Sequence, residues 1–255
     1  MEYMDILSVL LRWAHIVAGI LWIGLLFWFN WSYTPFSKTM DPDTVRKVVP
    51  ELLPRVLYFF RWGALWTYIF GFLLLMIVFY HGGIMFDEGA PGWGLPAYVM
   101  VAVTFLFFPI YDNLAKSKLG KDIRVFGAIG FILIAVISYL MIHWAQFGYR
   151  AYNIHIGAMF GTIMVANVWQ RIWGVQKKVI PAIKAGNPPD MAAFATAVQR
   201  SQHNTYLTVP LVWTMINAHT VIPGANSQLW LLGVILVGWF AVSLLYSKAM
   251  KVKGM

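Results

Sequence analysis

The fold class this sequence predicts is all-α: a polytopic membrane helix bundle of about seven transmembrane helices. Three observations predict it. Of 255 residues, 60% are hydrophobic and only 11% are charged, against about 25% charged in a soluble globular domain. Apolar runs recur along the chain at about the 20 residues a helix needs to cross ~30 Å of hydrocarbon. The 19 Lys and Arg residues gather in alternate connections between those runs. Disorder is excluded by the apolar content, and a disulfide scaffold by the count of 0 Cys.

In chain order the runs are Ile6–Ser32, Val56–Tyr80, Leu95–Tyr111, Val125–Trp144, Asn153–Trp173, Tyr206–Val221 and Leu229–Tyr246. Trp13, Trp31, Trp93, Trp144, Trp173 and Tyr246 stand near their ends, as an interfacial aromatic belt requires. The opening residues Met1-Glu2-Tyr3-Met4-Asp5 lack a basic n-region, so the first run is expected in the mature protein. Every Lys and Arg except Arg12 and Arg150 falls on one side of this arrangement, from Lys38 to Arg61, Lys116 to Arg124, Arg171 to Arg200, and Lys248 to Lys253. With positive residues inside, the N-terminus is outside and the C-terminus cytoplasmic. The net charge of +9 then reads as a rim facing anionic lipid rather than as a nucleic-acid surface. The chain reads as a single integral membrane domain over residues 1–255, with surface helices expected at 41–53 and 188–202.

Five of the six histidines lie toward the outer side in this topology: His15, His81, His143, His155 and His219. His203 is cytoplasmic. Ionisable residues at membrane depth are functional candidates by default. Against that stands the plainer reading of an imidazole wetted at a helix end, which has most force for His81 and His143. Neutral imidazoles on facing helices bind haem iron axially, with the porphyrin between the helices. Gly19, one turn after His15, and the small residues around His155 would let a ring approach. Arg12 and Arg150 would face outward-pointing propionates, guanidinium pairing well with carboxylate. Without Cys any redox cofactor must be held non-covalently, and one or two b-type haems are expected. There is no His-Glu-x-x-His set for zinc, no phosphate loop and no dinucleotide fingerprint. Copper held by His and Met is the competing metal.

The string Arg12-Trp13-Ala14-His15-Ile16-Val17-Ala18-Gly19-Ile20-Leu21-Trp22-Ile23-Gly24, the stretch RAYNIHIGAMFGTIMVANV over 150–168, and QRSQHNTYLTVP over 199–210 together resemble the membrane domain of bacterial cytochrome-c-linked urate oxidases (urate hydroxylases). The resemblance implies a polytopic domain working with a cytochrome c, with His15, His155, His203 and His219 as motif histidines. The chain ends at Met255 without Cys, so the cytochrome partner is expected on a separate subunit.

Three functions follow as expectations. The first is a haem-b membrane electron-transfer subunit of an oxidoreductase complex, exchanging electrons with a periplasmic redox protein such as cytochrome c, and with quinone as a further partner. The second is a urate oxidase acting with a detached cytochrome c, in which Arg12, Arg150, Asn167 or Asn217 would meet the anion. Interhelical hydrogen bonding is the plainer role for the two Asn residues. The third is a cofactor-free anchor of a larger respiratory complex. On the cytoplasmic side, His203 is open to a second haem, a quinone or proton site, or a helix cap. Asp112 is expected as a helix-end carboxylate in water, or with His203 in proton uptake.

Overall fold

The computed structural model describes residues 2–218 and 227–252. Every named element is helical; the isolated antiparallel bridge Phe86–Phe147 is the one extended pairing among the described residues. Helix α1 (Glu2–Phe27) runs through a π-helical segment (Trp28–Tyr33) into α2 (Thr34–Ser37). Helix α3 (Pro42–Leu74) runs through a second π segment (Leu75–His81). Then follow α4 (Leu95–Leu106), α5 (Phe108–Lys116), α6 (Ile123–His143) and α7 (Tyr149–Ala166). A third π segment (Asn167–Ile172) leads into α8 (Trp173–Lys184), with α9 (Met191–Asn217) and α10 (Gln228–Ala249) closing the chain.

Local chemistry sets the boundaries. Asp41 opens α3 by accepting from the Asp43 and Thr44 N–H groups at 2.9 and 3.0 Å and from the Thr44 hydroxyl at 2.5 Å. Those bonds, the Thr44 hydroxyl first, hold the Asp41 carboxyl below its ordinary pKa. Asp122 and Asp190 cap α6 and α9 in the same manner. Pro109 has no N–H to continue the ladder, and α4 and α5 meet at a 47° bend.

Among the described residues, four helical stretches are long and apolar enough to cross a membrane: Tyr3–Ser37, Pro42–His81, Ile123–His143 and Gln228–Ala249. The bent pair α4–α5 makes up to five. The third expected run is thus a broken helix; the fifth and, over 206–217, the sixth are helical with hydropathy diluted by Asn, His, Gln and Thr, and residues 219–221 of the sixth run lie outside the described residues. Residues 42–53 and 191–202 are helical, each as the first turns of a longer helix.

The chain forms two compact units. The first comprises Met1–Ser8, Phe72–Ile163 and Val209–Gly238, the second Val9–Gly71, Met164–Thr208 and Trp239–Met255. Leu75, Met100, Ile137, Met141, Ile156, Met159, Phe160 and Ile235 bury the apolar core of the first. The second buries Trp22, Leu26, Leu57, Phe60, Met164, Val168 and Val242. It also buries Asn30, Asn167, Arg200, His203, Asn204 and Thr205.

Candidate functional site

In the first unit the site is built on His155 of α7, whose exposure is 0%. Its Nδ1 donates to the Ala151 carbonyl one turn back at 2.7 Å. A carbonyl only accepts, so this bond fixes the tautomer, and Nε2 is left to accept from the Tyr80 hydroxyl at 2.9 Å. Both ring nitrogens are engaged. Phe147 lies 5.1 Å from the imidazole centroid and Phe79 meets it edge-on at 6.5 Å. Trp93 covers the far edge of Tyr80 at 5.6 Å. Tyr80 reaches His155 from the π segment that ends α3, where the wider turn re-aims side chains, as π segments often do at functional sites. Two residues beyond His155, an added Cβ on Gly157 would collide with the Thr214 hydroxyl. Here the small residue serves close helix packing.

The other expected site residues of this unit stand apart by their surroundings. His81 and His143 are exposed at helix ends, His143 resting on Tyr139 with ring centroids 4.3 Å apart. Arg150 donates from Nε to its neighbour's Tyr149 hydroxyl at 3.1 Å. Asp112 is not a carboxylate in water: it is buried, and Lys116 one turn on approaches it at 2.6 Å. An i,i+4 cation is what lets a buried helix-end carboxylate keep its charge. His219 lies outside the described residues.

The second unit holds His15 in a different state. Its Nδ1 donates to the Thr67 backbone carbonyl at 2.8 Å. The Nε2 makes no hydrogen bond among the described residues. The ring packs against α3 at Gly71, where an added Cβ would sit 2.7 Å from Cε1 and 3.0 Å from Nδ1. Gly71 on the facing helix is therefore the residue that admits the imidazole. A Cβ on Gly19 would meet only the Thr67 methyl, at an ordinary 3.7 Å. Arg12, one turn from His15, is exposed.

The second unit also carries a buried polar network. Asn167 donates to Asn204 at 2.8 Å and Asn204 to the Met164 carbonyl at 3.0 Å, the interhelical role expected for Asn167. Asn30 accepts from the Tyr246 hydroxyl at 2.9 Å and donates to Ser201 at 2.9 Å. Arg200, counted in the sequence among the cytoplasmic rim charges, is instead fully buried, with His203 buried one turn on. Both belong to the string over 199–210, whose polarity reads as surface until the packing is seen.

Among the described residues no group of three or more His, Asp or Glu side chains could hold a metal ion. His15 fits a one-sided ligand to a haem iron: a carbonyl pins Nδ1, so the ring presents Nε2 in a fixed orientation. His155 does not fit without losing Tyr80. Sequence reasoning passed over Thr67, Gly71 and Tyr80, and only their neighbourhood of charged-residue-free helix could have drawn attention to them.

The fold and the two imidazole sites define a helical protein with several long apolar helices, compatible with multi-pass membrane insertion. The chain matches the family model described as Urate oxidase N-terminal over residues 43–252, and belongs to that family. The matched range includes His155, Tyr80, Arg200 and His203, while Arg12, His15 and Gly19 precede it. No curated protein and no solved structure matches the chain.

Proposed function

We propose that this chain is a haem-b-binding integral membrane subunit of a urate-oxidase-type oxidoreductase. It crosses a bacterial inner membrane seven times, with its N-terminus outside. It exchanges electrons with a periplasmic redox protein such as cytochrome c, with quinone as a further exchange partner. The observation that carries the reading is the state of His15: Nδ1 pinned to Thr67, the ring seated on Gly71, and Nε2 uncommitted. A haem bound there would supply a one-electron carrier. This chain's own residues orient the ligand ring through Thr67 and Gly71, and hold the Tyr80 proton against His155 Nε2.

Charge gives the depth. Residues 62–80 carry no Asp, Glu, Lys or Arg, and at 1.5 Å per residue the helix from Arg61 to His81 rises about 30 Å, one hydrocarbon thickness. Thr67 and Gly71 then lie roughly 9 and 15 Å in from Arg61. His15 is thus near mid-depth rather than shallow, away from water that would compete for Nε2.

The reduced-minus-oxidised spectrum of the purified chain tests this. An α-band that His15→Ala abolishes and His155→Ala retains is the expected result; an α-band unchanged by His15→Ala removes His15 as ligand. The family membership favours a second reading, in which the chain itself oxidises urate and passes electrons to a separate cytochrome c. Urate-dependent reduction of added cytochrome c by the purified chain would establish it.

A further inference from the structure

Arg61 is the first charge on the cytoplasmic side of the uncharged run 62–80, and its surroundings are not those of a solvated rim cation. Its guanidinium carbon stands 4.0 Å from the ring centroid of Trp173, 5.8 Å from that of Trp169 and 5.7 Å from that of Tyr58. Trp62 meets Trp169 edge-on at 5.6 Å. Among the described residues no carboxylate is within ion-pair reach of Arg61. Its Nε is buried with no acceptor, and so are the indole N–H groups of Trp62 and Trp169. Stacking satisfies the face of a guanidinium and leaves its edge, the part that donates, unused. Indole nitrogen is a donor only. Three buried donors on residues in mutual ring contact, with no acceptor supplied by the protein, call for an acceptor brought from outside.

The position says which kind. A second uncharged run, 151–170, is bounded by Arg150 and Arg171. It is also about one hydrocarbon thickness long at helical rise. Trp169 and Trp173 flank Arg171, so two independent runs end at the level where Arg61 meets the tryptophans. That level is the boundary of hydrocarbon and headgroups. Lys177 and Lys178, about one turn beyond Trp173, are exposed and add positive potential.

We propose that Arg61, with Trp62, Trp169 and Trp173, forms a binding site for a phosphate-bearing anion at the cytoplasmic membrane surface. The phosphate is supplied by an anionic phospholipid headgroup or, as a soluble source of the same chemistry, by inorganic phosphate. Arg61 donates from its edge to the phosphate oxygens while Trp173 holds its face, and the indole N–H groups complete the set. The site stands independently of any haem bound elsewhere in the chain.

The test is the thermal unfolding midpoint of the full chain in neutral detergent, titrated with phosphatidylglycerol, phosphatidylcholine, or inorganic phosphate against chloride at equal ionic strength. Phosphatidylglycerol is expected to raise the midpoint saturably where phosphatidylcholine does not. Arg61→Met is expected to weaken that response about tenfold in lipid concentration, the loss of one charge-assisted set of hydrogen bonds. Trp173→Leu keeps the charge, removes the stacking face and is expected to weaken the same response, which covers the case in which Arg61→Met fails to fold. An Arg61-dependent response to inorganic phosphate and none to phosphatidylglycerol assigns the site to the soluble anion. Equal responses to both lipids with none to phosphate, or a phosphatidylglycerol response unchanged in both variants, overturns the proposal.

Discussion

His155 in the first unit and His15 in the second use the same first bond and differ in the second. Each donates from Nδ1 to a backbone carbonyl, Ala151 in one case and Thr67 in the other. His155 then spends Nε2 on Tyr80 inside an aromatic wall, whereas His15 keeps Nε2 uncommitted over a glycine. A histidine with both nitrogens satisfied is built into the core, and a histidine with one nitrogen pinned is oriented for a ligand. Burial alone ranks the two in the opposite order, since His155 is the more enclosed. On the proposed reading, hydrogen-bond bookkeeping rather than depth distinguishes the two histidines.

Five substitutions break or sharpen that contrast, from the largest expected effect downward. Gly157→Val drives a side chain into Thr214 and should destabilise the protein by about 1–3 kcal/mol, as overpacking does. Gly161→Ala, with nothing within 4 Å of its Cβ, should not; thermal unfolding compares them. Gly71→Ala displaces the His15 ring, and should weaken any His15-ligated haem about tenfold or more, read from the α-band during haem titration. The same change at Gly19 should leave the titration unmoved. Tyr80→Phe strands the His155 Nε2 and should lower stability by about 1–3 kcal/mol while leaving a His15-dependent spectrum intact. If it erases that spectrum, the division of roles between the two histidines is wrong.

The smallest effect lies outside both sites. Asp41 caps α3 with its carboxylate held below the ordinary pKa. A depressed folded value means the cap's contribution is complete above the unfolded carboxylate pKa and is lost as pH falls through the folded one. Amide exchange at Asp43 and Thr44 should accelerate at acid pH in the native chain, and Asp41→Ala should bring that faster exchange to neutral pH.

Legibility in the sequence followed the range of the forces. The helical class and the apolar runs could be read because they depend on composition and on charge spacing along one segment. The break after α4 was also within reach, since Pro109 lacks a donor wherever it stands. Arg200 was misread because its neighbours in sequence, Gln199, Ser201 and Gln202, are polar, while its neighbours in space bury it. Asp112 was misread for the converse reason: Lys116 is one helical turn away and lets the carboxylate sit inside. Gly71 went unnoticed because the sequence shows a residue's own turn and hides the facing helix.

By itself the sequence determined that this chain is helical and apolar, that its cations cluster in a few stretches, and that its histidines are few enough to be informative. The apolar effect and the cost of unpaired charge act residue by residue, so those properties survive without a fold. Only the tertiary structure decided which imidazole has a nitrogen to give, which glycine admits it, and that Arg61 stacks on tryptophan with its donors unspent. Each is a contact between helices distant in sequence, and hydrogen-bond capacity is settled by the partner as much as by the residue.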